Sequence, residues 1–377
     1  MTAFPIGATA SVADLTADPH PLLARLRVAE PVSWLPALDG WLVTGYAAAD
    51  RVMRDPSTFT VDDPRFSTAR VVGRSMLSTD GAEHTRHRGP FARPFRPTDV
   101  HDRFAASVAR RIDALLEPRA GAADLRRTLA GPLAVGVVAD LLGLDVPAET
   151  VLSWYAAISD AVSGVSAGRD VTAAGATAFD ELSDSVHGAI AGRSLLADVV
   201  RDGLPVDAAV SNAAVLMFGG IDTTEGMITN ALLHLLSHPD QIDPALFDNA
   251  VEESIRLEPA AAVVDRYATR DVELAGAPIR RGDLVTVSIA GANRDPEVFA
   301  DPNRFDARRA NARQHLAFAR GPHFCLGADL ARLETRAVLG TVFDRLPGLR
   351  LDPAHPTAPR GLVFRKPPAL HVLWDQS

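Results

Sequence analysis

The sequence predicts a mainly α-helical protein with a small β portion, folded as a single domain over residues 1–377. Three observations carry that prediction. From Thr98 to about Leu236 apolar residues recur at helical spacing, with breaks only at Pro118, Pro147, Gly168 and Gly203-Leu204-Pro205. Strand signals are short and lie toward the two ends, at 32–35, 41–44, 272–274, 284–287 and 369–374. No Ser/Gly/Pro-rich linker and no internal repeat divides the chain.

Taken in order, Asp18-Pro19 opens a short amphipathic helix carrying Leu22, Leu23 and Leu26. Val32-Ser33-Trp34-Leu35 and Trp41-Leu42-Val43-Thr44 read as strands on either side of an Asp39-Gly40 turn. Tyr46 to Arg54 reads helical. The strands from both ends are expected to combine into a minor, mostly antiparallel sheet.

One helix stands apart. Between Asp207 and Ser237, Val210, Ala214, Met217, Ile221, Ile228, Leu232 and Leu235 keep helical spacing, and His238-Pro239 ends the run. Some thirty residues span roughly 45 Å. Its middle is Gly219-Gly220-Ile221-Asp222-Thr223-Thr224, a set of poor helix formers. Two readings stay open there: a distorted turn that serves function, or a glycine contact where another helix crosses closely.

Composition narrows the function. The net charge of −9 argues against nucleic acid as a partner. Met1 to His20 has neither a basic start nor a continuous apolar run, and no stretch of about 18 apolar residues occurs. The expectation is a cytoplasmic protein that does not enter a membrane. A single cysteine excludes an internal disulfide, a Cys-based zinc site and a Cys-ligated iron–sulfur cluster. That thiol needs its own explanation.

Cys325 lies in Phe318-Ala319-Arg320-Gly321-Pro322-His323-Phe324-Cys325-Leu326-Gly327. Leu326, Leu330, Leu333 and Ala337 then mark an amphipathic helix that stops near Pro347-Gly348. The thiol therefore sits at a helix amino terminus, where free N–H groups and the dipole favour a thiolate. Gly321 and Gly327 permit a tight loop and the close approach of a flat ligand.

This stretch resembles the haem-binding loop of the cytochrome P450 family, Phe-x-x-Gly-x-His-x-Cys-x-Gly, continued by Leu330-Ala331-Arg332. Four other regions resemble family signatures in the same order. They are His84-Thr85-Arg86-His87-Arg88, the segment Gly219 to Thr224, Glu253-Ser254-Ile255-Arg256, and the stretch from Asn293-Arg294-Asp295-Pro296 through Asp301 to Asp306. The resemblance runs from about Asp18 to Trp374 and points to the soluble bacterial, actinobacterial three-component type.

It implies a helix-rich triangular prism with minor antiparallel sheets. Haem b would lie between the long central helix and the helix after the cysteine, with Cys325 as axial ligand to the iron. Phe318, Gly219 and Gly327 would border the macrocycle, and His84, Arg88, Arg266 and His323 would meet its propionates. Glu253 and Arg256, three apart, share a helix face; Arg304 is expected to complete a Glu–Arg–Arg network that holds the cysteine loop. Asp222 and Thr223 resemble the acid–alcohol pair that delivers protons for dioxygen activation, whereas Glu225 is read first as a helix-surface charge and only second as a helper in that relay. His87, His315 and His371 are read as surface or packing residues.

The substrate pocket is expected around Val71 to Leu77, Met217, Phe218, Ala261, Ala262, Val263, Val264, Val363 and Phe364. A compact or mobile lid is expected from the Ala/Ser/Gly-rich segment 152–182. No Gly-x-Gly-x-x-Gly occurs, so electrons would come from ferredoxin and ferredoxin reductase. Arg93, Arg96, Arg320, Arg332 and Arg336 are candidates for the docking patch on an expected monomer.

The implied reaction converts R–H, O2, two electrons and two protons to R–OH and water. Hydroxylation of a small organic substrate in secondary metabolism or xenobiotic oxidation is the first expectation. The same haem site could instead run coupling, desaturation, ring formation or a peroxygenase reaction. A haem carrier without turnover is disfavoured, since it has no use for the Asp222–Thr223 pair.

Overall fold

The structure is a computed structural model that describes residues 4–116, 121–166 and 168–375. The expected break at Pro118 lies outside the described residues. The chain forms two compact units, each drawn from separated stretches of sequence. One comprises Met1–Thr60, Leu116–Ala130 and Thr223–Ser377; the other comprises Val61–Leu115 and Gly131–Asp222.

The strands, all in the first unit, are β1 (Val32–Leu35), β2 (Gly40–Val43), β3 (Phe59–Thr60), β4 (Ala122–Asp124), β5 (Val263–Ala268), β6 (Val272–Leu274), β7 (Ala277–Ile279), β8 (Leu284–Ser288), β9 (Arg350–Leu351) and β10 (His371–Leu373). Five of them form one sheet in the order β1-β2-β8-β5-β3. The pairings are antiparallel except β2 with β8, which is parallel from Gly40 opposite Leu284 to Val43 opposite Val287. A parallel contact needs a long connection between its strands, and here more than two hundred residues separate them.

Val43, Met53, Phe59, Val285, Val287 and Leu316 pack into one apolar core against this sheet, each at most 1 % exposed. The β1–β2 connection is a 3₁₀ turn at Pro36–Leu38 with Asp39 left-handed at φ 47°. β4 pairs with β10, and β10 with β9. β6 and β7 form a hairpin through Ala275 and Gly276, both at positive φ.

A buried carboxylate fastens the ends of the first unit. Glu258 accepts hydrogen bonds from His20 at 2.8 Å and from Arg365 at 2.7 Å. The early helix His20–Ala29 is thereby tied to the carboxyl-terminal segment.

The second unit is helical, with Gly81–Ala92, Pro97–Leu115, Gly131–Leu142, Ala148–Ser166, Ala173–Ile190, Leu195–Arg201 and Val206–Gly220 as its main elements. The predicted lid segment is two of these helices. Inside the unit, Asn212 is fully buried and links two segments: its Oδ1 accepts from the Met76 N–H and its Nδ2 bonds to His87. His87 is thus a buried structural residue, in line with a packing role.

Candidate active site around Cys325

The cysteine loop is built by two residues in the left-handed region, Ala319 at φ 57° and Gly321 at φ 68°. Glycine is required at 321 for a second reason. A Cβ there would lie 2.7 Å from the Met53 carbonyl oxygen and 3.0 Å from the Arg54 Cα. Gly327, by contrast, has an ordinary φ of −87° and serves as the cap residue of the helix Ala328–Arg345.

The loop closes on itself where the Cys325 N–H donates to the Phe318 carbonyl at 2.8 Å. Cys325 stands two residues before the cap, and its side chain is half-buried. Cysteine usually lies fully buried as a small hydrophobe. A thiol left accessible at a helix head is placed for chemistry instead.

Adjacent glutamates on the helix Phe247–Leu257 anchor the surroundings. Glu253, fully buried, receives a bidentate fork from Arg256 at 2.6 and 2.8 Å. The second guanidinium on it belongs to Arg309, whose Nε is 3.0 Å from both carboxylate oxygens. This corrects the expectation for Arg304. The Arg304 side chain is exposed and pairs with Asp306 at 2.9 Å; only its carbonyl joins the network, accepting from Arg256 and Arg309. The chain turns at Asp306, where the Arg309 N–H bonds the Asp306 carbonyl, and that turn carries Arg309 inward.

Glu252, at 1 % exposure, was not legible as a site residue. It accepts from His315 at 3.0 Å and from Arg332 at 2.7 and 3.3 Å. Burial alone would raise its pKa, but the hydrogen bonds from His315 and Arg332 and the Arg332 charge hold it at about 2. The Arg332 guanidinium also lies over the Phe318 ring, 4.4 Å from its centroid.

The helix Val206–Gly220 ends and Asp222–Ser237 begins with Ile221 between them, at ψ −74°. The break falls inside the predicted segment. The close-crossing reading holds at Gly220. A Cβ on Gly220 would collide with Val138 of a neighbouring helix, so Gly220 serves packing. A Cβ on Gly219 would meet nothing within 4 Å, and the residue is exposed.

Asp222 and Thr223 are half-buried at the start of the next helix. His84 is buried and Arg88 half-buried, one turn apart on Gly81–Ala92. Met217 is buried, while the half-buried Phe218 packs edge-on against Tyr155 at 5.5 Å.

The Cytochrome P450 family model matches residues 244–371. The cytochrome P450 monooxygenase PikC of Streptomyces venezuelae is 37 % identical, over 96 % of this chain and 90 % of that one. The 20-oxo-5-O-mycaminosyltylactone 23-monooxygenase of Streptomyces fradiae is 33 % identical, over 88 % and 84 %. Among solved structures, CalO2 superposes with a TM-score of 0.87 at 30 % identity, covering 98 % of this chain and 99 % of that one.

The chain belongs to the cytochrome P450 family.

It therefore has the P450 fold and is a haem-thiolate monooxygenase, an enzyme that needs electron donors and an organic substrate. The donor set fits a P450 haem. Among the described residues no group of three or more His, Cys, Asp and Glu converges to hold a bare metal ion. A macrocycle that brings four nitrogens of its own and asks the protein for one thiolate suits a lone cysteine.

The remaining P450 positions in the first unit fall as follows. Arg266 is buried on β5 and donates to the Asp265 carbonyl at 2.7 Å; His323 is half-buried in the turn before Cys325. Ala261 pairs with Phe364 across an isolated bridge, and the Ala262 N–H donates to the Val363 carbonyl at 2.8 Å. Val263 and Val264 follow on β5, both half-buried.

Glu225 differs from expectation. It is buried and ion-paired with Arg126 at 2.9 Å and with Lys366, the one lysine of the chain. Three of the five arginines proposed for a docking patch are also committed. Arg320 faces Asp50 at 3.8 Å, Arg332 binds Glu252, and Arg336 pairs with Asp248 at 3.0 Å. No helix among the described residues is long and apolar enough to cross a membrane.

Proposed function

We propose that Cys325 is the axial ligand of haem b and that the enzyme hydroxylates a small organic molecule of bacterial secondary metabolism. One observation carries the reading: the only cysteine is half-exposed at the head of Ala328–Arg345, in a loop closed by its own N–H. The relatives support the substrate class. Several are named for natural products, among them a mycaminosyltylactone and pentalenic acid.

Haem held by a thiolate supplies the reductive activation of dioxygen, the electron-rich sulfur favouring O–O cleavage. The protein's own part is to hold, orient and protonate. The Cys325 N–H bond to Phe318 and the first helical turn beyond Gly327 fix where the sulfur points. His84, Arg88, Arg266 and His323 are assigned to the propionates, because cations and imidazoles compensate buried carboxylates.

Thr223 holds a proton on its hydroxyl, and Asp222 replenishes it. Ala261, Ala262, Val263, Val264, Val363 and Phe364 give substrate an apolar wall with two small residues in it. Electrons are assigned to a ferredoxin and its reductase, and the protein is taken as a cytoplasmic monomer.

Thr223→Ala tests the reading on an identified substrate. Haem content should be unchanged while product per reducing equivalent falls and peroxide rises. In the wild type, 18O2 should place one labelled oxygen in the product. Unchanged coupling in the variant would remove Thr223 from the mechanism, and unlabelled product would overturn monooxygenation for that substrate.

A further inference from the structure

We propose that Glu252 is a positioning residue for the Cys325 thiolate, acting through His315 and Arg332. The proposal rests on the reading of Cys325 as the haem ligand and extends it to Glu252 and His315, which lie outside the matched signatures, and to Arg332 at the end of one.

The side chains of Glu252 and Glu253 leave the same helix in different directions. Glu253 takes Arg256 and Arg309, which organise the segment from Asn293 to Asp306. Glu252 takes His315 and Arg332, which lie ten residues before Cys325 and seven after it. One buried carboxylate therefore clamps both flanks of the cysteine loop.

Each flank is fixed in orientation as well as position. On the upstream side, His315 Nδ1 accepts from the Ala317 N–H at 3.1 Å, which leaves Nε2 to donate to Glu252. The ring is thereby locked in one tautomer and one pose. Downstream, Arg332 presents its fork to Glu252 and its flat face to the Phe318 ring. The Phe318 carbonyl in turn accepts the Cys325 N–H. Carboxylate, guanidinium, ring, carbonyl and cysteine amide make one unbroken chain of contacts.

A solvated ion pair would hold nothing in place, but Glu252 is 1 % exposed and His315 3 %. A buried carboxylate with two oriented partners specifies geometry more surely than it adds stability. Residues that orient a metal ligand from behind typically change metal affinity ~10–100-fold when removed. Arg313, exposed and 3.7 Å from Glu252, adds charge without fixing the loop.

The test uses the haem-loaded enzyme and the variants Glu252→Gln, Arg332→Lys and Cys325→Ser. Three quantities are read: haem transfer to apomyoglobin, the ratio of thiolate to thiol bands in the reduced carbon monoxide spectrum, and the reduction potential. Glu252→Gln should release haem about 10–100-fold faster, convert part of the thiolate band to the thiol band, and raise the potential. Arg332→Lys keeps the charge but loses the fork and the stacking, so it should move all three in the same direction by less.

Wild-type values for all three in Glu252→Gln would overturn the proposal. If that variant does not fold, wild-type values in Arg332→Lys overturn it equally. A thiolate band that survives Cys325→Ser means the ligand reading itself has failed. A band lost in Cys325→Ser but untouched in Glu252→Gln means that only the role of Glu252 has failed.

Discussion

Arg309, five residues beyond Arg304, holds the carboxylate of Glu253, its Nε 3.0 Å from both oxygens. The two arginines should therefore respond differently to truncation. Arg309→Ala strips a partner from a fully buried charge and should cost ~3–5 kcal/mol. Arg304→Ala removes an exposed pair and should stay within about 0.5 kcal/mol of wild type. Urea unfolding of both variants checks this, and equal losses would contradict the assignment.

The difference marks where sequence reading stopped. The helix-rich middle, the break near Gly220 and the cysteine loop were legible because each leaves a local signal. Arg304 and Arg309 both follow an acidic turn, and only the backbone path through Asp306 decides which one points inward. Glu252 was hidden beside a stronger motif, and its partners come from 63 and 80 residues away. Glu225 looked like a surface charge because its counter-ions, Arg126 and Lys366, lie 99 and 141 residues distant. β4 pairs with a strand near the far end of the chain, and three residues carry no period of their own.

Gly321 and Gly327 should separate in the same way. At 321 an alanine must accept a left-handed backbone, costing ~1–2 kcal/mol, and its methyl would press on the Met53 carbonyl. Gly321→Ala should destabilise the protein even without haem. At 327 the backbone is ordinary, so Gly327→Ala should cost the haem-free protein only the ~1 kcal/mol or less of an alanine at a helix cap. Thermal melts of both haem-free proteins decide it; a tolerated Gly321→Ala would refute the role given to that turn.

Acid should unfasten the first unit at Glu258. Burial would raise the Glu258 pKa, but the His20 hydrogen bond and the charges of His20, Arg365 and Arg294 depress it to about 2. A depressed folded pKa contributes stability above the unfolded value near 4.5, lost as pH falls toward 2. The contribution is on the order of 3 kcal/mol. Glu258→Gln should flatten stability against pH between about 5 and 2, as measured by urea midpoints. An unchanged slope would contradict it.

Glu334 carries the opposite sign. It is buried on Ala328–Arg345, its Oε2 has no hydrogen-bond partner, and burial pushes its pKa well above the usual carboxylate range. A raised folded pKa favours the fold below the unfolded value and is lost as pH rises through the folded one. Glu334→Gln removes the ionisation while keeping the shape. The variant should gain stability relative to wild type as pH rises above the unfolded value of 4.5 and show no such gain near pH 4. A constant difference across that range would show that Glu334 does not titrate in the fold.

The central claim is that Cys325 binds the haem iron as a thiolate. The reduced, carbon monoxide-bound spectrum of wild type and Cys325→Ser tests it most directly. The account predicts the long-wavelength band of a thiolate-ligated haem in the wild type and its loss in the variant. A band that persists after the sulfur is gone would contradict it.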